Sequence, residues 1–290
     1  MAEKSNPLVS ILMTSYNREK YIGEAIESVL ASSYTNFELI ITDDCSKDNT
    51  VAIAKKYAAT DNRIKVFIND KNLGDYPNRN NAASKATGKY LKYLDSDDMI
   101  YPYGLELFVS AMERHPDAAL GIVSRNPFQV QPFPIVLTPE QSYRKHFFKV
   151  GVLDIGPTGV IIRRDVFEQV GGFSGKRFVG DKECWFKIAA KYNVLELAPS
   201  LIFWRQHEGQ EYDLGDSGID GGYFMMDLPL LREVLGSEHC PLSAAEQKQI
   251  LDLNHHQYAR RLIKHIIKTG QVKKGLKKFS ELQVSIKDAF

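Results

Sequence analysis

Nearly every ready-made cofactor signature is missing from this 290-residue chain. No two of its 20 glycines are separated by a single residue, so the GxGxxG dinucleotide fingerprint cannot form. A GxxxxGKS or GxxxxGKT phosphate loop, an HExxH metal helix and a GxSxG nucleophile elbow are also absent. Cysteine is scarce: Cys45, Cys184 and Cys240 are widely spaced and odd in number. They make no CxxC pair, zinc spacing or disulfide framework, which predicts a reducing compartment. No apolar run approaches the roughly 18 residues that a membrane span needs, and Met1–Leu8 lacks the apolar core of a signal peptide. The expectation is a cytoplasmic chain, associated at most with a membrane surface. Excess charge is missing too: 37 Lys and Arg against 36 Asp and Glu leave +1, which argues against a nucleic-acid partner.

Charge is nevertheless uneven. Ala259 to Ser280 holds eight Lys or Arg and no acid, so the rest of the chain carries about −7. In that segment Arg260, Arg261, Lys264 and Lys268 alternate with Leu262, Ile263, Ile266 and Ile267. The pattern suits either a solvated helix packed by its apolar face or contact with an anionic membrane; little aromatic interleaving speaks against nucleic acid.

Two periodicities alternate through the first hundred residues, and together they predict an α/β fold with a mostly parallel sheet covered on both faces. Strands are expected at Leu8–Thr14, Phe37–Thr42, Ile64–Ile68 and Lys89–Leu94. Between them, helices are expected from Tyr21 to Leu30, from a Thr50 cap to Ala59, and through Asn81–Ala86 with Gly88 as the stop. A further helix should open at Pro102 and end near His115. The four prolines between Asn126 and Pro139 predict a long surface loop. Strands are expected at Val160–Arg163, Val194–Leu197 and Leu201–Gln206, with a helix from Asp181 to about Tyr192. Glu208–Gly222 reads as a lid loop, and the chain from Tyr223 as helical. The predicted organisation is a catalytic domain over residues 1–210 and a C-terminal lid and helical subdomain over 211–290.

In a parallel sheet ligands bind beyond the carboxyl ends of the strands. Here those ends carry acids. Asp95-Ser96-Asp97-Asp98 can turn two carboxylates toward one hard divalent cation, Mg²⁺ or Mn²⁺, with phosphate oxygens as further ligands, or can simply cap the next helix. Asp43-Asp44 and Tyr16 follow neighbouring strands. They are either turn residues or a nucleobase pocket in which Tyr16 stacks and Asp44 accepts an imide N–H, a proton that uracil and thymine offer and cytosine and adenine do not.

The assembled pattern resembles family 2 nucleotide-diphospho-sugar glycosyltransferases. The resemblance starts at Val9-Ser10-Ile11-Leu12-Met13-Thr14-Ser15-Tyr16-Asn17-Arg18 and continues through Thr42-Asp43-Asp44-Cys45-Ser46-Lys47-Asp48. Lys71-Asn72-Leu73-Gly74, Arg79-Asn80, Ala86-Thr87-Gly88-Lys89-Tyr90 and Leu94-Asp95-Ser96-Asp97-Asp98 follow in the family's order. Gly171-Gly172-Phe173, Gly180-Asp181-Lys182-Glu183-Cys184-Trp185 and Trp204-Arg205-Gln206-His207 extend it to about residue 210. The resemblance implies a GT-A fold and inverting, metal-assisted transfer of a sugar from a nucleoside diphosphate donor to an acceptor hydroxyl. It assigns Thr14, Tyr16, Asn17, Asp44 and Arg79 to the nucleotide, and Asp95 to the ribose and sugar. Asp97 falls on the metal ligand, His207 on a histidine that can complete the metal or diphosphate site, and Asp181 on the catalytic base. The family commonly has Glu-Asp where this chain has Gly180-Asp181, so one carboxylate of that pair is missing. Trp185 and Trp204 are either core residues or platforms for the apolar face of a sugar.

The residue types suit that chemistry: one acidic cluster facing a diphosphate and one separate base suffice for a single in-line displacement. The donor would be a UDP- or dTDP-sugar, and the acceptor a saccharide or lipid-linked acceptor in polysaccharide or glycoconjugate synthesis. Two rivals remain. One is a sugar-nucleotide-binding protein of the same fold without catalysis. The other is a haloacid-dehalogenase-like phosphatase, which would carry its nucleophilic Asp on the first strand and a Thr or Val where Met99 stands.

Overall fold

The computed structural model describes residues 6–128, 131–208, 210, 213, 215 and 218–290. Residues 1–5 of the stretch Met1–Leu8, two positions of the proline-rich loop and six of the lid loop lie outside the described residues. The chain forms two compact units. The first runs to Lys176 and from Gly180 to Arg205; the second comprises Arg177–Val179 and Gln206–Phe290.

The first unit is built on an eight-stranded mixed sheet in the order β3-β2-β1-β4-β8-β6-β9-β7. Its parallel part contains β1 (Val9–Ser15), β2 (Phe37–Asp43), β3 (Ile64–Ile68) and β4 (Tyr90–Tyr93). Residues 9–12 of β1 pair with β4 on one side, and all of β1 pairs with β2 on the other, which brings Thr14 beside Thr42 and Ser15 beside Asp43. The antiparallel β8 (Val160–Arg163) links β4 to β6 (Ala118–Val123), followed by β9 (Asn193–Leu197) and β7 (Ile135–Leu137). Every residue of β2 is buried, as a strand covered on both faces must be.

Helices cross between the strands: α1 (Ile22–Leu30), α2 (Thr50–Ala58), α3 (Asp75–Ala83) and α4 (Gly104–Arg114). Of the positions that recur at helical spacing, Tyr21, Ile22, Ala25, Ile26, Val29 and Leu30, α1 buries Ile22, Ala25, Ile26 and Val29, while Tyr21 and Leu30 are half-buried. Further along lie α5 (Pro139–Phe148), α6 (Arg164–Gln169) and α7 (Gly180–Ala189). A two-stranded ribbon pairs β5 (Met99–Ile100) with β10 (Ile202–Phe203).

Several local expectations are corrected. Helix α3 begins at Asp75 and ends at Ala83, so Gly88 does not stop it. Gly88 instead lies against β1, where a Cβ would sit 2.6 Å from the Ser10 amide nitrogen; a side chain there would wedge β4 from its neighbour. Thr50 is the first helical residue of α2 rather than its cap. The proline-rich stretch contains β7, whose Ile135 and Leu137 are buried, because antiparallel pairing with β9 completes the sheet edge. The strand expected over Leu201–Gln206 is only Ile202–Phe203.

The second unit is helical, with α8 (Gly222–Leu235), α9 (Ala244–Thr269) and α10 (Val272–Glu281). Ser243 and Glu246 form a capping box at the start of α9, and Gly270 ends it in a left-handed conformation (φ 68°). No helix among the described residues is long and apolar enough to cross a membrane.

Candidate active site

The acidic residues converge at the carboxyl ends of β1, β2 and β4. Both β1 and β2 end in left-handed turns, at Asn17 (φ 53°) and Cys45 (φ 69°). The two turns are stitched together. The Asn17 amide donates to Ser46 Oγ at 2.8 Å, and the Lys47 amide donates to Asn17 Oδ1 at 2.8 Å. Asp43 anchors the junction by accepting from Ser15 Oγ and from the Ser46 amide and hydroxyl. Asn17 and Asp43 therefore tie the two turns together, beside Tyr16, which is 45% exposed.

Asp44 is buried and accepts three bonds: Asn69 Nδ2 and the Leu73 amide on Oδ1 at 2.8 Å, and the Gly74 amide on Oδ2 at 2.9 Å. A carboxylate has about four acceptor positions, so one remains on Oδ2 for an outside donor. Arg79, on α3, spans two acids: Nε donates to Asp75 at 2.7 Å and Nη1 to Asp95 at 2.6 Å. Burial opposes its charge, yet Asp75 and Asp95 outweigh that and push its pKa up.

Asp95, Asp97 and Asp98 each present a carboxylate oxygen within 4.8 Å of the others. The Arg18 guanidinium donates to Asp97 Oδ2 at 2.9 Å. Asp98 is buried; its Oδ1 accepts from the Arg205 amide at 3.0 Å, whereas Oδ2 has no hydrogen-bond partner among the described residues. Burial, followed by the nearby Asp95 charge, pushes the Asp98 carboxyl up to about 7. An orphaned buried oxygen within a trio of hard oxygen donors fits Mg²⁺ or Mn²⁺, whose charge would reverse that unfavourable ionisation. His207, which the resemblance assigns to the metal or diphosphate site, has its Nδ1 2.8 Å from the Glu208 carbonyl oxygen.

Beneath the cluster lies Lys92, fully buried on β4, which donates to the carbonyls of Tyr93 and Thr158. Thr158 in turn accepts from the Asp95 amide at 3.0 Å, so Lys92 and Thr158 hold the end of β4 in place. Burial pulls the Lys92 amine down to about 7 against the pull of Asp95 and Asp98. Sequence reading did not single out Arg18, Lys92, Thr158 or Arg205 as individual site residues. Only a lysine in a strand otherwise made of Tyr90, Leu91 and Tyr93 signalled something unusual.

Asp181 occupies the first turn of α7. Its Oδ1 accepts from the Lys182 amide at 2.7 Å and from the Tyr76 hydroxyl at 3.0 Å. Burial raises the carboxyl to about 6 in spite of these bonds. The glycine before it has a steric reason: a Cβ on Gly180 would lie 2.8 Å from the Tyr76 ring. Tyr76 thus takes the space in which a glutamate would have to fit. Trp204 is 49% exposed at the edge of the ribbon, with its ring 3.5 Å from where a Gly156 Cβ would sit. Trp185 is a correction. It is 0% exposed, donates to the Ile155 carbonyl at 2.9 Å and packs edge-on to Phe173, so no sugar can stack on it.

The sequence profile of Glycosyl transferase family 2 matches residues 10–171, more than half of the chain. The chain belongs to this family. Among curated relatives, TuaG of Bacillus subtilis (strain 168), which carries a provisional assignment as a teichuronic acid biosynthesis glycosyltransferase, is 45% identical over 92 residues. That match covers 32% of this chain and 36% of TuaG, and the chain spans less than half the length of the first curated relatives it matches. Two solved structures share the fold. TarS of S. aureus, determined with UDP-GlcNAc, is 21% identical with a TM-score of 0.65 over 87% of this chain and 72% of its own. The mannosyltransferase PcManGT of Pyrobaculum calidifontis, determined with GDP-Man and Mn²⁺, is 15% identical with a TM-score of 0.69 over 92% of this chain and 77% of its own. The mixed sheet and flanking helices of this family member are accordingly a GT-A fold, with additional helices at the C-terminal end.

Proposed function

We propose that this chain is an inverting glycosyltransferase of the hexosyltransferase type. It moves a sugar from a UDP- or dTDP-sugar to an acceptor hydroxyl during the building of a polysaccharide or glycoconjugate. The observation that carries the reading is the trio Asp95, Asp97 and Asp98, with its orphaned buried oxygen, at the strand ends that also carry Tyr16 and Asp44. Asp97 and Asp98, with Asp95 beside them, would hold Mg²⁺ or Mn²⁺, which when bound supplies positive charge for the diphosphate leaving group. The Mn²⁺ in the PcManGT complex and the UDP-GlcNAc in the TarS complex support a metal and a nucleotide-sugar donor of this class. TuaG's assignment to teichuronic acid biosynthesis supports a saccharide acceptor.

The chain's own residues divide the work. Tyr16 offers a ring face to the base, and the remaining Asp44 lone pair accepts the N3–H of uracil or thymine. Arg79 holds Asp95 in place beside the ribose and sugar. Asp181 takes the acceptor hydroxyl's proton as that oxygen attacks the anomeric carbon; the bond to the diphosphate breaks in the same displacement, and no covalent intermediate on the protein is needed. The Tyr76 hydroxyl and the Lys182 amide fix the orientation of the Asp181 carboxylate. Trp204 is placed to offer an exposed aromatic face to a sugar.

The experiment is a thermal-shift screen of UDP-, dTDP- and GDP-sugars with and without Mn²⁺, followed by transfer assays on the stabilising donor. A ligand that binds only the folded state raises the melting temperature. Stabilisation by a UDP- or dTDP-sugar only with metal is expected. No shift with any donor would overturn the reading, and donor binding without transfer or hydrolysis would favour a silent binding protein.

A further inference from the structure

The basic segment finds no use in the sugar-transfer site, and its placement on the second unit gives it a face of its own. Helices α9 and α10 meet through Gly275, where an added Cβ would lie 2.2 Å from Ile266 Cγ1. Phe279, four residues on from Gly275 along α10, is buried with it, which fixes the inner side of that helix. Lys274 and Lys278 reach Asp220 within the same unit. On the flank of α10 next to that inner side stand Val272 and Leu276, 51% and 46% exposed, and the exposed Lys273 lies further round, away from Gly275 and Phe279. Lys277 is exposed alongside and reaches only toward Glu281, at 3.6 Å.

Before the Gly270 turn, α9 continues the theme. Leu262 is buried, whereas Ile267 is 77% exposed. Arg260, Lys264 and Lys268 are exposed as well and, like Lys273, form no ion pair among the described residues. A helix–turn–helix with aliphatic side chains exposed on either side of the turn carries cations among them and no acid of its own between Ala259 and Ser280. Among the described residues, Asp220 and Glu281 from outside the segment reach only Lys274, Lys277 and Lys278. Cations alone would serve any polyanion. Exposed aliphatic residues interleaved with them match a surface that is anionic outside and apolar just beneath.

We propose that this face, centred on Ile267, Val272 and Leu276 and framed by Arg260, Lys264, Lys268, Lys273 and Lys277, docks the second unit on an anionic lipid bilayer. The lysine and arginine heads sit among the lipid headgroups, and the three aliphatic side chains enter the acyl boundary. Docking of this kind would hold the protein where a lipid-linked acceptor resides, yet it does not depend on the donor reading.

The test is co-sedimentation of the full chain with vesicles of phosphatidylcholine containing 30% phosphatidylglycerol, against pure phosphatidylcholine, at low and high salt. Binding is expected to the anionic vesicles only, and to weaken at least tenfold at high salt as the charges are screened. Two variants separate the contributions. Lys264→Gln with Lys268→Gln and Lys273→Gln should abolish binding at moderate salt. Ile267→Ser with Leu276→Ser should weaken it at least tenfold without lowering the melting temperature or the affinity for UDP, which reads the donor site separately. Absence of binding to anionic vesicles at low salt overturns the proposal. So does binding that ignores the aliphatic changes and is fully displaced by soluble polyphosphate or RNA, which would mark a polyanion site instead.

Discussion

The Arg18 guanidinium lies 2.9 Å from Asp97, on the carboxylate that the sequence pattern assigns to a metal ion. Its Nη1 is also tied to the carbonyls of Tyr16 and Asn17. On the proposed function, the Arg18 side chain and a divalent ion would compete for one acid. Arg18→Ala should bind Mn²⁺, in the absence of nucleotide, up to about fivefold more tightly, since a partly exposed pair of this kind contributes at most ~1 kcal/mol. Titration calorimetry or Mn²⁺ spin resonance reads the change; equal or weaker binding would show that Arg18 does not contest the site.

Asp97→Asn removes one of the three carboxylates and should weaken metal-dependent UDP binding at least tenfold, about 1.4 kcal/mol. The same affinity in Mn²⁺ as the parent protein would discard Asp97 as a ligand.

Base selectivity should follow Asp44. Its buried carboxylate has three internal donors and one open position, so on the proposed function it would favour a base with an N3–H. In competition measurements UDP and dTDP are expected to displace donor better than CDP, ADP or GDP. A preference for GDP, the nucleotide of the donor bound to PcManGT, would replace the uracil pocket with a purine one.

Asp181 must be ionised to take a proton, and burial raises it to about 6. The rate should therefore fall as pH drops through about 6, close to tenfold per unit below it. The Tyr76 hydroxyl stabilises the charged form, so Tyr76→Phe should move that limb to higher pH. Asp181→Asn should remove most transfer while leaving donor affinity intact. Stability supplies a second sign. A carboxyl whose pKa is raised on folding favours the folded state most at low pH and loses that contribution as pH rises through about 6, so Asp181→Asn should be no less stable than the parent at pH 8. Parallel loss of donor binding would make Asp181 a structural cap.

Gly180→Ala tests the contact that excludes the family's glutamate. With its Cβ 2.8 Å from the Tyr76 ring, the variant should lose about 1–3 kcal/mol of stability, measured by denaturant unfolding. Tyr76→Leu in the same chain should recover part of the loss; a neutral Gly180→Ala would mean that the ring moves aside freely.

Local pattern determined much of this molecule. Helical spacing in Tyr21–Leu30 and the apolar runs at Leu8–Thr14 and Phe37–Thr42 are short-range properties, and they set the acids Asp43 and Asp44 where the second apolar run stops. The order of motifs from Thr14 to Asp98 carried the family. What it could not carry were partners far apart in the chain. Arg18 meets Asp97 across 79 residues, Tyr76 meets Asp181 across 105, and Arg205 meets Asp98 across 107. Those distances close only when β1, β2 and β4 pair and α3 and α7 pack beside them. Trp185 shows the same limit from the other side: an indole reads alike in sequence whether it faces sugar or core, and packing against Phe173 and Ile155 decided for the core. Likewise β7 lies within a proline-rich stretch that is locally a loop, and only hydrogen bonds from the distant β9 make it a strand.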